Sequence, residues 1–258
     1  MMQLEKLSTY ACYYGSNRLA DLAQFDLVIL QPDHYAAGDI RLLCEQNTCP
    51  VAYLAISEEP ATQSPSGWAL IDPSNGLVVR NLAWQTVLVD CRSQAWHNHI
   101  LQQRIPEIIA RGFVGIFLDT LDVAEQYPET RQGVIRLIRQ IRAFYPHLML
   151  VANRGFSILD EINELVDAFL FEAFTTHSTH GITSNYAIWD NQALAWTAQQ
   201  VDHLHAKGVN IPILALDYAA PSDTALRSAA WRRAQKYGLL SFTTTRFVDW
   251  LPKIDTDR

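Results

Sequence analysis

Short runs of apolar residues alternate along the chain with longer segments in which apolar positions recur at helical spacing. Helical spacing is found in Asn98 to Ala110, Arg131 to Phe144 and Asn191 to Lys207. The apolar runs are continuous, which is typical of strands covered on both faces of a parallel sheet. The predicted strands are YACYY (10–14), DLVIL (26–30), VAYLAI (51–56), TVLVD (86–90), VGIFLD (114–119), LMLVA (148–152), DAFLF (167–171), IPILAL (211–216) and LLSFT (239–243).

The repeated strand–helix units predict a parallel α/β fold with right-handed crossovers. An open doubly wound sheet usually carries a glycine-rich nucleotide motif, and the sequence has neither G-x-G-x-x-G after the first strand nor a P-loop motif. The length of 258 residues matches a TIM barrel. We therefore predict an α/β fold in which residues 1–258 form one (β/α)8 TIM barrel, a single domain. Because nine strands are predicted, one of them should lie outside the barrel.

One long segment interrupts the alternation of strands and helices. Residues 57–85 are rich in Pro, Ser and Gly, and Ser74, Asn75 and Gly76 form a turn signal between two short apolar pieces. This pattern predicts an inserted loop with a hairpin. Long loops in compact domains are often functional.

Composition and charge limit the kinds of partner and the cellular compartment that the sequence predicts. The chain is 49% hydrophobic and 18% charged, as in soluble globular proteins, and its net charge of −7 without a basic cluster predicts no nucleic-acid partner. No apolar stretch is long enough for a membrane span, and the N-terminus lacks the apolar core of a signal peptide. As it stands, the sequence predicts a soluble cytoplasmic protein. An extracytoplasmic location would require that an export signal had been removed.

Polar side chains recur where the predicted strands end, and the active sites of parallel barrels lie at those ends. Asp119 and Glu172 each end a run that should be fully buried, so each carboxylate must be paired, hydrogen-bonded or used in chemistry. Asp122 is explained equally well as a helix cap. The other candidates for contact with a substrate are Tyr14, His34, Tyr53, Glu58, Asp90, Trp96, Asn153, Arg154, Asp217 and Tyr218.

Two carboxylates across a barrel mouth suffice for hydrolysis of a glycosidic bond. One protonates the leaving oxygen, and the other attacks the anomeric carbon or activates water. We predict such a site without metal or cofactor. Two alternatives remain open: a catalytically silent barrel that binds polysaccharide or scaffolds an assembly, and a metal-dependent barrel enzyme. In the second alternative His177 and His180 would share a helical turn and join Asp119 or Glu172 as ligands.

Six short motifs occur in an order that resembles a known family. They are YYG (13–15), VAYLAISEE (51–59), VLVDCRSQAW (87–96), FLDTLD (117–122), VANRGF (151–156) and LFEAF (170–174). Together they are similar to glycoside hydrolases of the endo-α-1,4-polygalactosaminidase type, and most similar to the hydrolase domain of the Pel exopolysaccharide system. The resemblance extends from about residue 10 to residue 251.

The resemblance implies a (β/α)8 barrel that cleaves α-1,4-linked galactosamine or N-acetylgalactosamine polymers. By motif position it implies Asp119 and Glu172 as the catalytic acids. We predict Asp119 as nucleophile or charge stabiliser and Glu172 as general acid/base, and the reverse assignment stays open. The substrate groove that it implies contains Glu58, Asp90, Asn153, Arg154, Asp217 and Tyr218. Because a partly deacetylated galactosamine polymer is cationic, the acidic rim predicted above would concentrate such a substrate.

Overall fold

A computed structural model of the chain describes residues 7–61, 67–179 and 185–252. The strands are, in chain order, β1 (Tyr10–Tyr13), β2 (Leu27–Leu30), β3 (Cys49–Ala55), β4 (Glu58–Pro60), β5 (Arg80–Asn81), β6 (Thr86–Leu88), β7 (Gly115–Asp119), β8 (Met149–Asn153), β9 (Ala168–Glu172), β10 (Thr176–Thr179), β11 (Asn185–Ile188), β12 (Ile213–Tyr218) and β13 (Leu240–Thr244). The α-helices are α1 (Leu19–Leu22), α2 (Ala37–Glu45), α3 (Gln94–His99), α4 (Ile105–Ala110), α5 (Val123–Gln126), α6 (Arg131–Phe144), α7 (Leu159–Ile162), α8 (Asn191–Ala206) and α9 (Thr224–Lys236). No helix within the described ranges is long and apolar enough to cross a membrane.

Eight of the strands form one parallel sheet in the order β1-β2-β3-β7-β8-β9-β12-β13. Each strand in this sheet pairs with the next sheet strand along the chain, which is the topology of a (β/α)8 barrel. The first and last strands meet at the remaining edge. There the rings of Tyr10 and Phe242 lie 5.7 Å apart between centroids, and the N–H of Tyr14 donates to the carbonyl oxygen of Val248 at 2.7 Å. The predicted TIM barrel is confirmed.

The barrel strands are buried on both faces, which explains their continuous apolar sequences. In β7, the side chains of Ile116, Phe117 and Leu118 are at most 1% exposed. The helices cover the outside of the sheet, and α6 buries residues such as Leu137 and Ile138 against it. Polar side chains are therefore excluded from the middle of a strand and first become possible at its carboxyl end.

The surplus strand among the nine predicted is TVLVD (86–90), which lies outside the barrel. TVLVD contains β6, which pairs antiparallel with β4 and with β5 in a separate three-stranded sheet. This small sheet belongs to the segment inserted between β3 and α3. Within the same segment, Ile71 and Val78 form an antiparallel bridge around the turn at Ser74 to Gly76. Residues 62–66 of the segment are not among the described residues.

Gly133 marks a close approach between the helix layer and the loop after β6. A Cβ atom at this position would lie 2.3 Å from the carbonyl oxygen of Cys91. The same oxygen lies 2.7 Å from Nε2 of the buried His97 side chain, which keeps the loop in place. Only glycine lets α6 pack this closely. Gly38 in α2 differs, since a Cβ there would meet nothing within 4 Å.

Candidate active site

A cavity of about 480 Å³ opens at the carboxyl ends of the barrel strands. Its volume is in the usual range for small-ligand sites. The side chains of Asp119 at the end of β7 and Glu172 at the end of β9 line it, as does Asn153 at the end of β8. The last residues of three neighbouring strands therefore line the same cavity.

Asn153 joins the two acids through its side-chain amide. Its Nδ2 donates to Oδ1 of Asp119 at 2.7 Å and to Oε2 of Glu172 at 2.8 Å. Since both distances start from one nitrogen, the two carboxylate oxygens lie no more than about 5.5 Å apart, the spacing at which two carboxyl groups can act on one glycosidic bond.

Two tyrosines complete the hydrogen bonding of the carboxylates. Tyr53 donates its hydroxyl hydrogen to Oδ2 of Asp119 at 2.7 Å, and Tyr218 donates to Oε1 of Glu172 at 2.6 Å. Burial raises the pKa of both phenols well above the ordinary value, so they stay protonated and act as donors. Each carboxylate therefore has a donor at both of its oxygens.

The environment of Glu172 favours its protonated form. Burial of the carboxyl group, followed by the negative charge of Asp119, raises the pKa of Glu172. The hydrogen bonds from Tyr218 and Asn153 act in the opposite direction, because they stabilise the carboxylate. A protonated carboxylic acid in such a place can donate a proton to a leaving group.

Strand register brings these side chains to one face of the sheet, near the carboxyl ends of their strands. Leu118 of β7 pairs with Ala152 of β8, so the next residues, Asp119 and Asn153, lie side by side. Asn153 in turn pairs with Leu170 of β9. Glu172 follows Leu170 by two residues and therefore points to the same side of the sheet, which is the inside of the barrel.

The residue after each of these three side chains has a left-handed backbone conformation. The φ angles are +67° at Thr120, +55° at Arg154 and +54° at Ala173. Such values are uncommon for residues other than glycine and often occur at functional sites. They turn the chain out of the strand immediately after Asp119, Asn153 and Glu172.

An outer ring of polar groups surrounds this centre and also lines the cavity. Asp122 pairs with Arg154 at 3.2 Å between Oδ2 and Nε. Glu58 of β4 accepts hydrogen bonds from the Thr86 hydroxyl and, at 3.2 Å, from Asn81. Burial raises the pKa of both Glu58 and Asp122. The ring is acidic, with one of its carboxylates balanced by arginine.

Tyr14 also lines the cavity, as predicted from the sequence. Its ring packs edge-on against that of Tyr53, with 5.2 Å between the centroids. Because Tyr53 also holds Asp119, this contact fixes the orientation of a residue at the centre.

Comparison with known proteins identifies the family. Residues 2–245 match the model of the glycoside-hydrolase family GH114. The chain belongs to glycoside hydrolase family GH114. The sequence-based prediction of a glycoside hydrolase is thereby confirmed. No curated protein sequence matches this GH114 chain.

Solved structures similar to the GH114 chain share its fold over nearly the whole length. The glycoside hydrolase domain of PelA from Pseudomonas aeruginosa is 29% identical to this chain and has a TM-score of 0.80. The alignment covers 95% of this chain and 97% of that chain. The structure of a variant of the same domain has a TM-score of 0.82. Ega3 from Aspergillus fumigatus, solved in complex with galactosamine, is 10% identical, with coverage of 96% and 95% and a TM-score of 0.69. The α-galactosidase TtGalA from Thermus thermophilus is 16% identical, with coverage of 94% and 59% and a TM-score of 0.63. At these identities the last two show the fold alone.

Four predicted contact residues of the GH114 chain do not reach the cavity. Asp217 is one residue before Tyr218 on β12 and so points to the opposite side of the strand. It is completely buried, and its Oδ1 accepts hydrogen bonds from the backbone N–H groups of Thr175 and Thr176 at 2.6 and 2.7 Å. Its role in the structure is to hold the loop after β9.

The other three residues in this group have local roles. Trp96 is only 3% exposed, and its indole N–H donates to the Ile56 carbonyl oxygen at 2.8 Å, so it belongs to the core. Asp90 accepts two hydrogen bonds from the guanidinium of Arg92, at 2.8 and 2.9 Å. His34 is exposed, in a short 3₁₀ helix beside the carbonyl oxygen of Gly15.

Several residues that line the cavity of the GH114 chain were not predicted from the sequence. They are Asn81, Trp84, Thr86, Gln126 and Arg246. The one sequence signal among them is Trp84, a large aromatic residue in a polar inserted segment. Arg246 follows the last strand, and its place at the cavity depends on the closure of the barrel.

The alternative metal site with His177 and His180 lies only partly within the described residues. His177 stacks on Trp189, with 3.7 Å between the ring centroids, and His180 lies outside the described residues. Within the part of the GH114 chain that the structure describes, no three His, Cys, Asp or Glu side chains converge as ligands for a metal ion.

Proposed function

We propose that this chain hydrolyses α-1,4-linked galactosamine or N-acetylgalactosamine polysaccharides with Asp119 and Glu172 as its catalytic residues. The observation that carries the proposal is the single amide of Asn153 that hydrogen-bonds both carboxylates at the floor of the cavity. Support for the sugar comes from the six motifs that resemble the endo-α-1,4-polygalactosaminidase type, and the PelA glycoside hydrolase domain shares the fold at 29% identity. The GH114 family supplies the reaction class.

The two acids differ in environment, and this difference suggests their roles. Glu172 has a raised pKa, so it holds the proton that the leaving oxygen needs. Asp119 attacks the anomeric carbon; the bond to the leaving oxygen breaks, and that oxygen takes the proton of Glu172. Glu172, now a carboxylate, removes a proton from water, which attacks the anomeric carbon and releases Asp119.

The spacing of the acids favours retention of the anomeric configuration. The upper limit of about 5.5 Å between Oδ1 of Asp119 and Oε2 of Glu172 agrees with the roughly 5 to 5.5 Å of retaining enzymes. Inverting enzymes need about 6.5 to 9.5 Å, because a water molecule must fit between the acid and the sugar. The first product of this enzyme is therefore the α-anomer.

The charge of the cavity suits a cationic polymer. Five carboxyl side chains and two arginines line it: Glu58, Glu59, Asp119, Asp122 and Glu172, with Arg154 paired to Asp122 and Arg246 at the mouth. An acidic cavity attracts the ammonium groups of deacetylated galactosamine. We expect added salt to weaken binding, and full N-acetylation to weaken it as well. Salt-insensitive activity with preference for the fully acetylated chain would contradict this part of the proposal.

The test is release of reducing ends from α-1,4-galactosamine polymers of defined acetylation. We expect release by the wild type and loss of at least about 100-fold with Asp119→Asn or Glu172→Gln. Binding of the polymer without any cleavage would indicate the silent barrel instead. Cleavage that stops in chelator and returns with added metal would indicate the metal-dependent alternative.

A further inference from the structure

Trp84 is a large aromatic side chain presented to the cavity from outside the barrel. It lies in the turn between β5 and β6, and its side chain is 54% exposed although it lines the same cavity as Asp119 and Glu172. The turn is held at its base by the antiparallel pair of Asn81 and Thr86 and by the Gln85 carbonyl oxygen, which accepts the N–H of Ala61 at 3.0 Å. The backbone that carries Trp84 is therefore anchored, and its ring offers an apolar surface to solvent.

Arg246 reaches Trp84 from the other end of the chain. It follows β13, and its guanidinium carbon lies over the Trp84 ring, 5.7 Å from the centroid. Its backbone N–H donates to the hydroxyl oxygen of Tyr186 at 3.1 Å, which anchors the loop that carries it. Together Trp84 and Arg246 form one edge of the cavity.

The charge at this edge is opposite to the charge at the centre. Asp119, Glu172 and Glu58 are acidic, and Arg154 is paired with Asp122. Among the described residues no carboxylate forms an ion pair with Arg246, so its positive charge faces the cavity unbalanced. An ammonium group is therefore attracted to the centre and repelled from the edge.

We propose that Trp84 and Arg246 form a peripheral sugar subsite that selects an N-acetylated hexosamine unit of the polymer. The inference rests on the proposed function, since it assumes a polymer of amino sugars. The exposed face of Trp84 packs against the apolar face of the sugar ring. Arg246 donates hydrogen bonds to the acetamido carbonyl oxygen, and it disfavours a free ammonium group at the same position. The enzyme then prefers chains in which acetylated and free units are mixed.

The kinetic experiment compares fully acetylated and fully deacetylated α-1,4-galactosamine hexamers. For Trp84→Ala we expect KM for the acetylated hexamer to rise about fivefold to tenfold, with kcat within about twofold of the wild type. Arg246→Glu should raise that KM and lower the KM for the deacetylated hexamer, whereas Arg246→Lys should stay closer to the wild type. Leu82→Ala is the matched control, because Leu82 is 83% exposed on the same turn and does not line the cavity.

A binding experiment keeps the subsite separate from the proposed reaction. The two proteins compared are the inactive Asp119→Asn variant and the Asp119→Asn/Trp84→Ala double variant. Calorimetric titration with the acetylated hexamer should show about fivefold weaker binding to the double variant. Equal affinities, or an effect of Leu82→Ala as large as that of Trp84→Ala, would overturn the subsite. If the wild type cleaves neither hexamer nor polymer, the proposed function fails, and this titration alone decides the subsite.

Discussion

Asp119 and Glu172 are held by one donor, the Nδ2 atom of Asn153, at 2.7 and 2.8 Å. Removal of the amide in Asn153→Ala takes away the one donor that both carboxyl groups share, so their relative position is no longer fixed. We expect kcat to fall about 100-fold, because small displacements of reacting groups are costly. Asn98→Ala, at an exposed position of α3, is the control and should keep full activity. Wild-type kcat in Asn153→Ala would mean that the amide does not position the acids.

The pH profile should report the proton on Glu172. Because burial and the charge of Asp119 raise the pKa of this group, its acid form persists to higher pH than that of an ordinary glutamic acid. We expect kcat/KM to fall as the pH rises through this raised pKa, since the general acid is then lost. With an aryl glycoside, whose leaving group needs no proton, Glu172→Gln should remove this alkaline limb. A limb that persists in the variant would assign it to another residue.

Asp217 should make the protein less stable as the pH rises. Burial raises the pKa of Asp217 from 3.8 to about 6, so the folded state binds its proton more tightly than the unfolded state. This contribution to the free energy of unfolding is fully present below about pH 4 and is lost as the pH rises through about 6. The loss is roughly 2 to 3 kcal/mol. Urea unfolding at several pH values should show this loss in the wild type. Asp217→Asn should not show it, and equal pH dependence in both proteins would contradict the prediction.

Two glycine-to-alanine substitutions should have opposite effects on the free energy of unfolding. Gly133→Ala would place a methyl group against the Cys91 carbonyl oxygen, and the required shift should cost about 2 kcal/mol or more. Gly38→Ala meets open space in α2 and should be neutral or stabilise by up to about 1 kcal/mol. Chemical denaturation of both variants gives the comparison. A Gly133→Ala protein as stable as Gly38→Ala would show that α6 can move away from the loop.

The fold and the two central acids could be predicted from the sequence because burial leaves a clear pattern. A barrel strand excludes polar residues until its end, so Asp119 and Glu172 stand out after VGIFL and AFLF. The length of the chain also predicted eight barrel strands, so one of the nine candidate strands had to lie outside the barrel. TVLVD was that candidate, and its pairing with the inserted segment could not be read from its composition.

The outer residues were harder to predict because their positions depend on side-chain direction and long-range packing. Asp217 and Tyr218 are neighbours in sequence, yet only Tyr218 points into the cavity, since successive residues of a strand face opposite sides. Trp96 was expected to contact the sugar and is instead a core residue, because the direction of α3 turns it inward. Trp84 and Arg246 meet only when the barrel closes.

The left-handed residues that follow the site carry no signal in the sequence. Thr120, Arg154 and Ala173 are not residue types that favour positive φ, yet each has it. Hydrogen bonds with neighbouring segments hold two of these residues in place. Thr120 accepts the N–H of Ser57 at its hydroxyl oxygen, and the N–H of Ala173 donates to the Leu216 carbonyl oxygen at 2.7 Å. Such constraints exist only in the folded chain.

The most direct test of Asp119 as the nucleophile is the anomeric configuration of the first product, measured by proton NMR during early cleavage of the α-1,4-galactosamine polymer. With Asp119 as nucleophile and Glu172 within about 5.5 Å of it, the account predicts that the α-anomer forms first and converts to the β-anomer only by mutarotation. Formation of the β-anomer first would contradict the account, because it would require direct attack by water between two more distant carboxyl groups.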